Sequence, residues 1–214
     1  MIFKIFWILR GLVYKPFFGK YGLPSYIGKP IFIGNFKRIF IGKRVRIFPG
    51  ARVEVVDKNS SIVFEDNISI GQNLHIISGA GQELKIGRNT TFSANVFVTN
   101  IDHQYDEINK HILEQLLVSA KTHIGENCFI GYGVVIQAGT ILGKQCIVGA
   151  NAVVRGHFPD YCVIVGVPAR IVKRYDDKSG VWKKTDKEGN FLEESLSDGR
   201  EGRYCENRRK CFAI

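Results

Sequence analysis

His103 is the residue of this chain best placed to do chemistry. It follows Asp102 at the end of a regular aliphatic run, after which residues 104–121 are polar and mixed, and regularity returns at Ile124. An imidazole takes up and releases protons near neutral pH, so a histidine at the root of such an excursion suits a general base facing a groove that the loop walls. Asp102 is a candidate to orient the ring, although adjacent side chains on a strand point to opposite faces. Asn95 and Asn100 are candidates to contact a polar acceptor, against plain turn or coil-edge roles for each. His103, Asp106 and His111 invite a metal reading, but the spacing does not supply three well-placed histidines, and no metal is expected. Five cysteines occur without a C-x-x-C pair. They read as free thiols in a reducing cytoplasm. No G-x-S-x-G elbow is present, so no acyl-enzyme is expected.

The elements that must position His103 announce themselves by period. From Ile124 the sequence divides without a gap into IGENCF, IGYGVV, IQAGTI, LGKQCI, VGANAV and VRGHFP. Position one is Ile124, Ile130, Ile136, Leu142, Val148 and Val154. Position four is Asn127, Gly133, Gly139, Gln145, Asn151 and His157, mostly residues that tolerate left-handed backbone. Neither an amphipathic helix nor a hairpin strand has period six; short strands joined by equal turns, as in a β-solenoid, do. The same grammar appears with slips from residue 27. On this reading Cys128 and Cys146 stack one coil apart and pack inward.

Charge marks a different end of the chain. Residues 1–53 hold eleven Lys or Arg and no Asp or Glu, within a net charge of +10. Residues 1–26 interleave aromatic and aliphatic side chains with Lys4, Arg10, Lys15 and Lys20. The longest apolar run there, residues 5–9, is too short to span a bilayer, and no small-residue cleavage site follows, so neither a transmembrane helix nor a signal peptide is expected. Two readings stay open: a helix at an anionic membrane surface, or one packed over the end of the core. No motif accompanies the charge to suggest nucleic acid. The expected organisation is a basic amphipathic segment (1–26), a solenoid (27–175) with an extruded loop (104–121), and an irregular extension (176–214) with a small hairpin around residues 187–190.

The hexads from Ile124, the preceding NIDHQYD and the closing VGANAVVRGHFPDYCVIVGVPARIVKR resemble the hexapeptide-repeat acyltransferases with a left-handed parallel β-helix. The likeness is greatest to the galactoside, maltose and nodulation-sugar O-acetyltransferases and to relatives that decorate bacterial surface polysaccharides, and it covers roughly residues 30–175. It implies an all-β fold, a homotrimer, acetyl-CoA as co-substrate and His103 as the base that activates a sugar hydroxyl for direct attack. The acceptor would be a surface polysaccharide or its lipid-linked precursor, which with the basic front end points to the cytoplasmic side of the inner membrane. By motif, Tyr132, Ala150, Arg155, Gly156, Arg170 and Lys173 occupy positions of acetyl-CoA contacts. Tyr132 is bulkier than the family's usual residue, Arg155 and Gly156 replace a T-K pair, and Arg170 and Lys173 suit nucleotide phosphates if they are not merely solvated charges. N-acetylation of an amino sugar and a non-catalytic scaffold are the alternatives.

Overall fold

The period of six becomes a left-handed parallel β-helix in the computed structural model, which describes residues 2–186 and 188–192. Three parallel sheets form its faces. The first has seven strands, from Lys20–Tyr21 to His157–Phe158. The second starts at Tyr26–Ile27 and reaches Cys162–Val165, and the third has six strands, from Phe32–Gly34 to Val153–Val154. Half of the strands, including every one from His123 to Phe158, are two residues long with one side chain out and one in, too little to be stable alone. Stacking makes them so: Ile124 pairs with Leu142, Ile130 with Val148, and Ile136 with Val154. All six are 0% exposed. Each such burial contributes about 1.5–3 kcal/mol relative to an exposed side chain.

The corners follow the fourth hexad position. Asn127, Gly133, Gly139, Gln145 and Asn151 have φ of 59°, 67°, 84°, 50° and 57°. His157 does not join them; Gly156, at φ 109°, makes that bend. Between the first and second faces the corner amides form a ladder, with Asn67 Nδ2 donating to Asn89 Oδ1 (2.9 Å) and Asn89 Nδ2 to Asn127 Oδ1 (3.1 Å). The first step spans 22 residues and the second 38, so the excursion is inserted into one coil without breaking the stack. Gly125 is glycine for a steric reason, since a Cβ there would collide with the Gly143 carbonyl of the next coil.

Both ends depart from the expected boundaries. The solenoid begins at Lys20 rather than residue 27, because the strand Lys20–Tyr21 already pairs in parallel with the second coil. Ahead of it α1 (Ile2–Tyr14) lies across the first coil. Trp7 packs on Tyr26 and Phe48 with ring centroids 5.8 and 5.4 Å apart, and Tyr14 on Phe36 at 5.7 Å. Gly11 lets the helix approach the Tyr21 hydroxyl, which burial pushes up to a pKa of about 12. At the other end Arg170–Asp176 turns back antiparallel on Cys162–Val165, and Val181–Lys184 pairs with it. The extension is therefore regular through Lys184, and an isolated bridge from Thr185 to Phe191 spans the place expected for the small hairpin. Cys205 and Cys211 lie outside the described residues.

Candidate active site

The excursion leaves from the corner between the third and first faces, here the loop corner, and it is a hairpin rather than a free loop. Ile101–His103 pairs antiparallel with Leu117–Ser119, with His103 opposite Leu117. Its base is pinched shut: Ala120 N–H donates to Asn100 O (3.0 Å) and Thr122 Oγ1 to Thr99 O (3.0 Å). Its tip is held by the buried Gln115, whose Nε2 donates to Glu107 O (3.2 Å) and Lys110 O (3.1 Å). These bonds satisfy backbone groups that would otherwise have no partner and give the loop a defined shape.

A cleft of about 380 Å³ opens between this hairpin and the loop corner, lined among others by Asp102, His103, Tyr105, Ser119, Ala138 and Arg155. His103 is half-buried. Its Nδ1 is buried with no hydrogen-bond partner among the described residues, which leaves Nε2 as the ring nitrogen able to meet a ligand. The cleft thus offers a base and, in the exposed Arg155, a cation. Gly156 beside it leaves open space, since a Cβ there would meet nothing within 4 Å.

Three expectations need correction. Asp102 does not orient the imidazole; its Oδ1 accepts the His103 backbone N–H at 2.9 Å. Asn100 cannot contact an acceptor, being 0% exposed with its Oδ1 accepting from Gly79 N–H (2.9 Å) and its Nδ2 donating to Ser78 Oγ (3.0 Å). Asn95 sits at φ 60° on the corner between the second and third faces, far round the coil from the loop. Its amide is committed there, accepting from Asn73 and donating to the Tyr132 hydroxyl.

The proposed acyl-donor contacts fall on two edges. Arg155 and Gly156 share the loop corner with His103. Tyr132 and Ala150, both exposed, lie on the opposite edge of the third face, here the tyrosine corner. Arg170 follows the turn that closes that edge, where Val153 N–H donates to Gly166 O (3.1 Å) and Ala169 N–H to Val153 O (2.9 Å). Lys173 stands exposed opposite Val163. Ala138 and Ser119 escaped the sequence reading, yet counting hexads places Ala138 at the loop corner, in the coil between His103 and Arg155.

Larger troughs on the first face offer less chemistry. One, of about 510 Å³, contains Lys85 and Glu65 paired at 2.7 Å. The other, of about 400 Å³, includes Arg88 and Glu126 paired at 2.6 Å, and its His123 is held below the ordinary imidazole range by burial and then by Lys85 and Lys121. The cysteines are buried in a row, Cys128 Sγ against Gly143 O (3.2 Å) and Cys146 Sγ against Pro159 O (3.3 Å). Hydrogen bonding to Cys146 and burial push the Cys128 and Cys162 thiols up, so neither is a nucleophile.

This repeat, coil and corner geometry is that of a hexapeptide-repeat β-helix. Residues 121–156 match the bacterial transferase hexapeptide (six repeats) family, and the chain carries that family's repeat. It is 33% identical over 130 residues, 58% of this chain and 65% of the relative, to an Escherichia coli protein named as the lipopolysaccharide biosynthesis O-acetyl transferase WbbJ. It is 28% identical over 123 residues, 55% of this chain and 40% of the relative, to a Mycobacterium tuberculosis protein named as an acetyltransferase. The chain therefore spans less than two thirds of either relative's length. Among solved structures it is similar to AntD, an N-acyltransferase from Bacillus cereus in complex with dTDP and 3-hydroxybutyryl-CoA, with a TM-score of 0.65 at 20% identity over 79% of this chain and 90% of that one. At that identity the likeness concerns the fold.

Proposed function

We propose that the protein is an acetyl-CoA-dependent O-acetyltransferase acting in the cytoplasm on a sugar hydroxyl of a bacterial surface polysaccharide or its precursor, with His103 as general base. The observation that carries this reading is the placement of His103, with one ring nitrogen buried and the other free, in the same cleft as Arg155. The name of the Escherichia coli relative supports both the reaction and the acceptor class.

In the proposed step, His103 takes the proton as the sugar oxygen attacks the thioester carbonyl. A C–O bond forms, the C–S bond breaks, and the proton passes on to the departing thiolate. Direct attack suits a cleft with no cysteine among its described lining residues. Arg155 and Gly156 would receive the donor on the base's side, the first as a cation and the second as open backbone, while Tyr132, Ala150, Arg170 and Lys173 would receive it from the other edge.

One copy cannot bring those two edges together, because the whole third face separates them. A homotrimer in which the loop corner of one copy meets the tyrosine corner of the next completes the site. The hairpin also supports a neighbour, since Tyr105, Ile108, Leu113 and Leu116 are 71–83% exposed, far more than isolated apolar side chains need be.

An amine acceptor is the second reading, favoured by the fold shared with AntD. Thiol release from acetyl-CoA, followed with a panel of hydroxyl- and amino-sugar acceptors, separates the two. With the acceptor that responds, His103→Ala is expected to lose on the order of 10²-fold or more in kcat while binding acetyl-CoA normally. Near-normal turnover in that variant would remove His103 from the mechanism.

A further inference from the structure

The helix α1 is apolar nearly all round, and the solenoid uses only one side of it. Successive helix positions turn by about 100°. Trp7, Gly11 and Tyr14 fall on one stripe, the stripe that packs on Tyr26, Phe48, Tyr21 and Phe36. On the opposite stripe Ile5, Phe6, Leu9, Leu12 and Val13 are 57%, 59%, 52%, 44% and 65% exposed. Phe17, just beyond the helix, is 55% exposed. A helix apolar on every side is ordinarily covered on every side.

Charge identifies the cover. Exposed lysines stand at both ends of the helix, Lys4 in its first turn and Lys15 and Lys20 past its last residue, together with Lys37, whose Nζ donates to Pro16 O at the end of the helical segment (3.0 Å). No Asp or Glu occurs before Glu54, so the helix and the first coil beneath it carry cations only, although Lys20 also shares the first-face trough with Glu65, Asp66 and Glu83. A second copy of the same surface would bring like charges together. An anionic lipid surface accepts both features: the apolar side chains enter the boundary between headgroups and acyl chains, and the lysines reach the headgroups.

We infer that α1 docks the protein on an anionic membrane with the stripe Ile5, Phe6, Leu9, Leu12 and Val13, while the stripe of Trp7, Gly11 and Tyr14 stays on the first coil. The two roles left open by the sequence, membrane contact and end-packing, are carried by opposite sides of one helix. One consequence rests on the acetyl-transfer reading. The third-face strand leading into the hairpin, Phe97–Thr99, is the fourth of its sheet counted from the helix end. At about 4.8 Å per strand, plus a helix about 10 Å thick, His103 stands roughly 25 Å from the lipid. An acceptor held in the same membrane must extend its glycan by about that height.

The test is co-sedimentation of the full-length protein with vesicles of phosphatidylcholine alone or with about 30% phosphatidylglycerol. Wild type is expected to pellet with the anionic vesicles and to be released by salt. Replacing Phe6, Leu9 and Val13 together by Gln should cut the bound fraction about tenfold. Melting should change little, because each of these side chains is more than half exposed. The charge variant Lys4→Gln/Lys15→Gln/Lys20→Gln leaves the apolar stripe intact and should lose the preference for anionic lipid. Wild type remaining in the supernatant, or either variant pelleting as wild type does, would overturn the inference. So would lipid-free self-association that the triple Gln substitution of the apolar stripe abolishes. None of these readouts depends on acetyl transfer.

Discussion

Burial acts on the histidines of this chain in a way that pH can report. His123 and His75 are both held below the ordinary value of 6.5, first by loss of water and then by nearby cations, Lys85 and Lys121 for the former and Arg52 for the latter. The unfolded chain therefore binds these protons more readily than the folded one, and unfolding free energy rises with pH. Their contribution is fully present above 6.5 and is lost as the pH falls below it toward the lowered values. Between about pH 7.5 and 5.5, the Tm of wild type is expected to fall, and His123→Gln to reduce that fall; an unchanged pH dependence in the variant would show that His123 is protonated equally in both states. At this scale the sequence was informative about His103, whose position at a break in the repeat is visible in the text. It left Asn95 and Asn100 between acceptor contact and a coil-edge role, because an asparagine near a site and an asparagine stacked at a coil corner look alike until the neighbouring coil is in place, and the structure gives both the coil role.

Elements of two residues hold together only through the coils above and below, so their stability is collective and local changes should be felt. Asn127 combines a φ of 59° with a place in the amide ladder. Asn127→Ala should cost about 1–2 kcal/mol, since an alanine is strained in left-handed backbone and ends the ladder, whereas Asn127→Gly should cost less. Urea unfolding of the two variants measures the difference, and equal stability would mean that the corner conformation carries no strain. The hexads made these corners and the buried positions legible from Ile124 onward, because each coil repeats the same inward residue. The antiparallel pairing of the excursion was not legible, since the register of Ile101–His103 against Leu117–Ser119 depends on the pinched base and on Gln115 rather than on any period. Nor was the pairing of Val181–Lys184 with Arg170–Asp176, which depends on the edge that the last coil leaves open.

Among the described residues the molecule is a column with α1 packed at one end and, at the other, an antiparallel pair that extends its second face. Its candidate site is divided between two edges of one face, and nothing in a single sequence states how copies meet. The most direct measurement is the crystal structure of the full-length protein with coenzyme A. The account predicts three copies around an axis, with the thiol in the cleft between His103 and Arg155 of one copy and the edge bearing Tyr132 and Ala150 of the next. A coenzyme bound away from His103 of every copy, or a site complete within one chain, would contradict it.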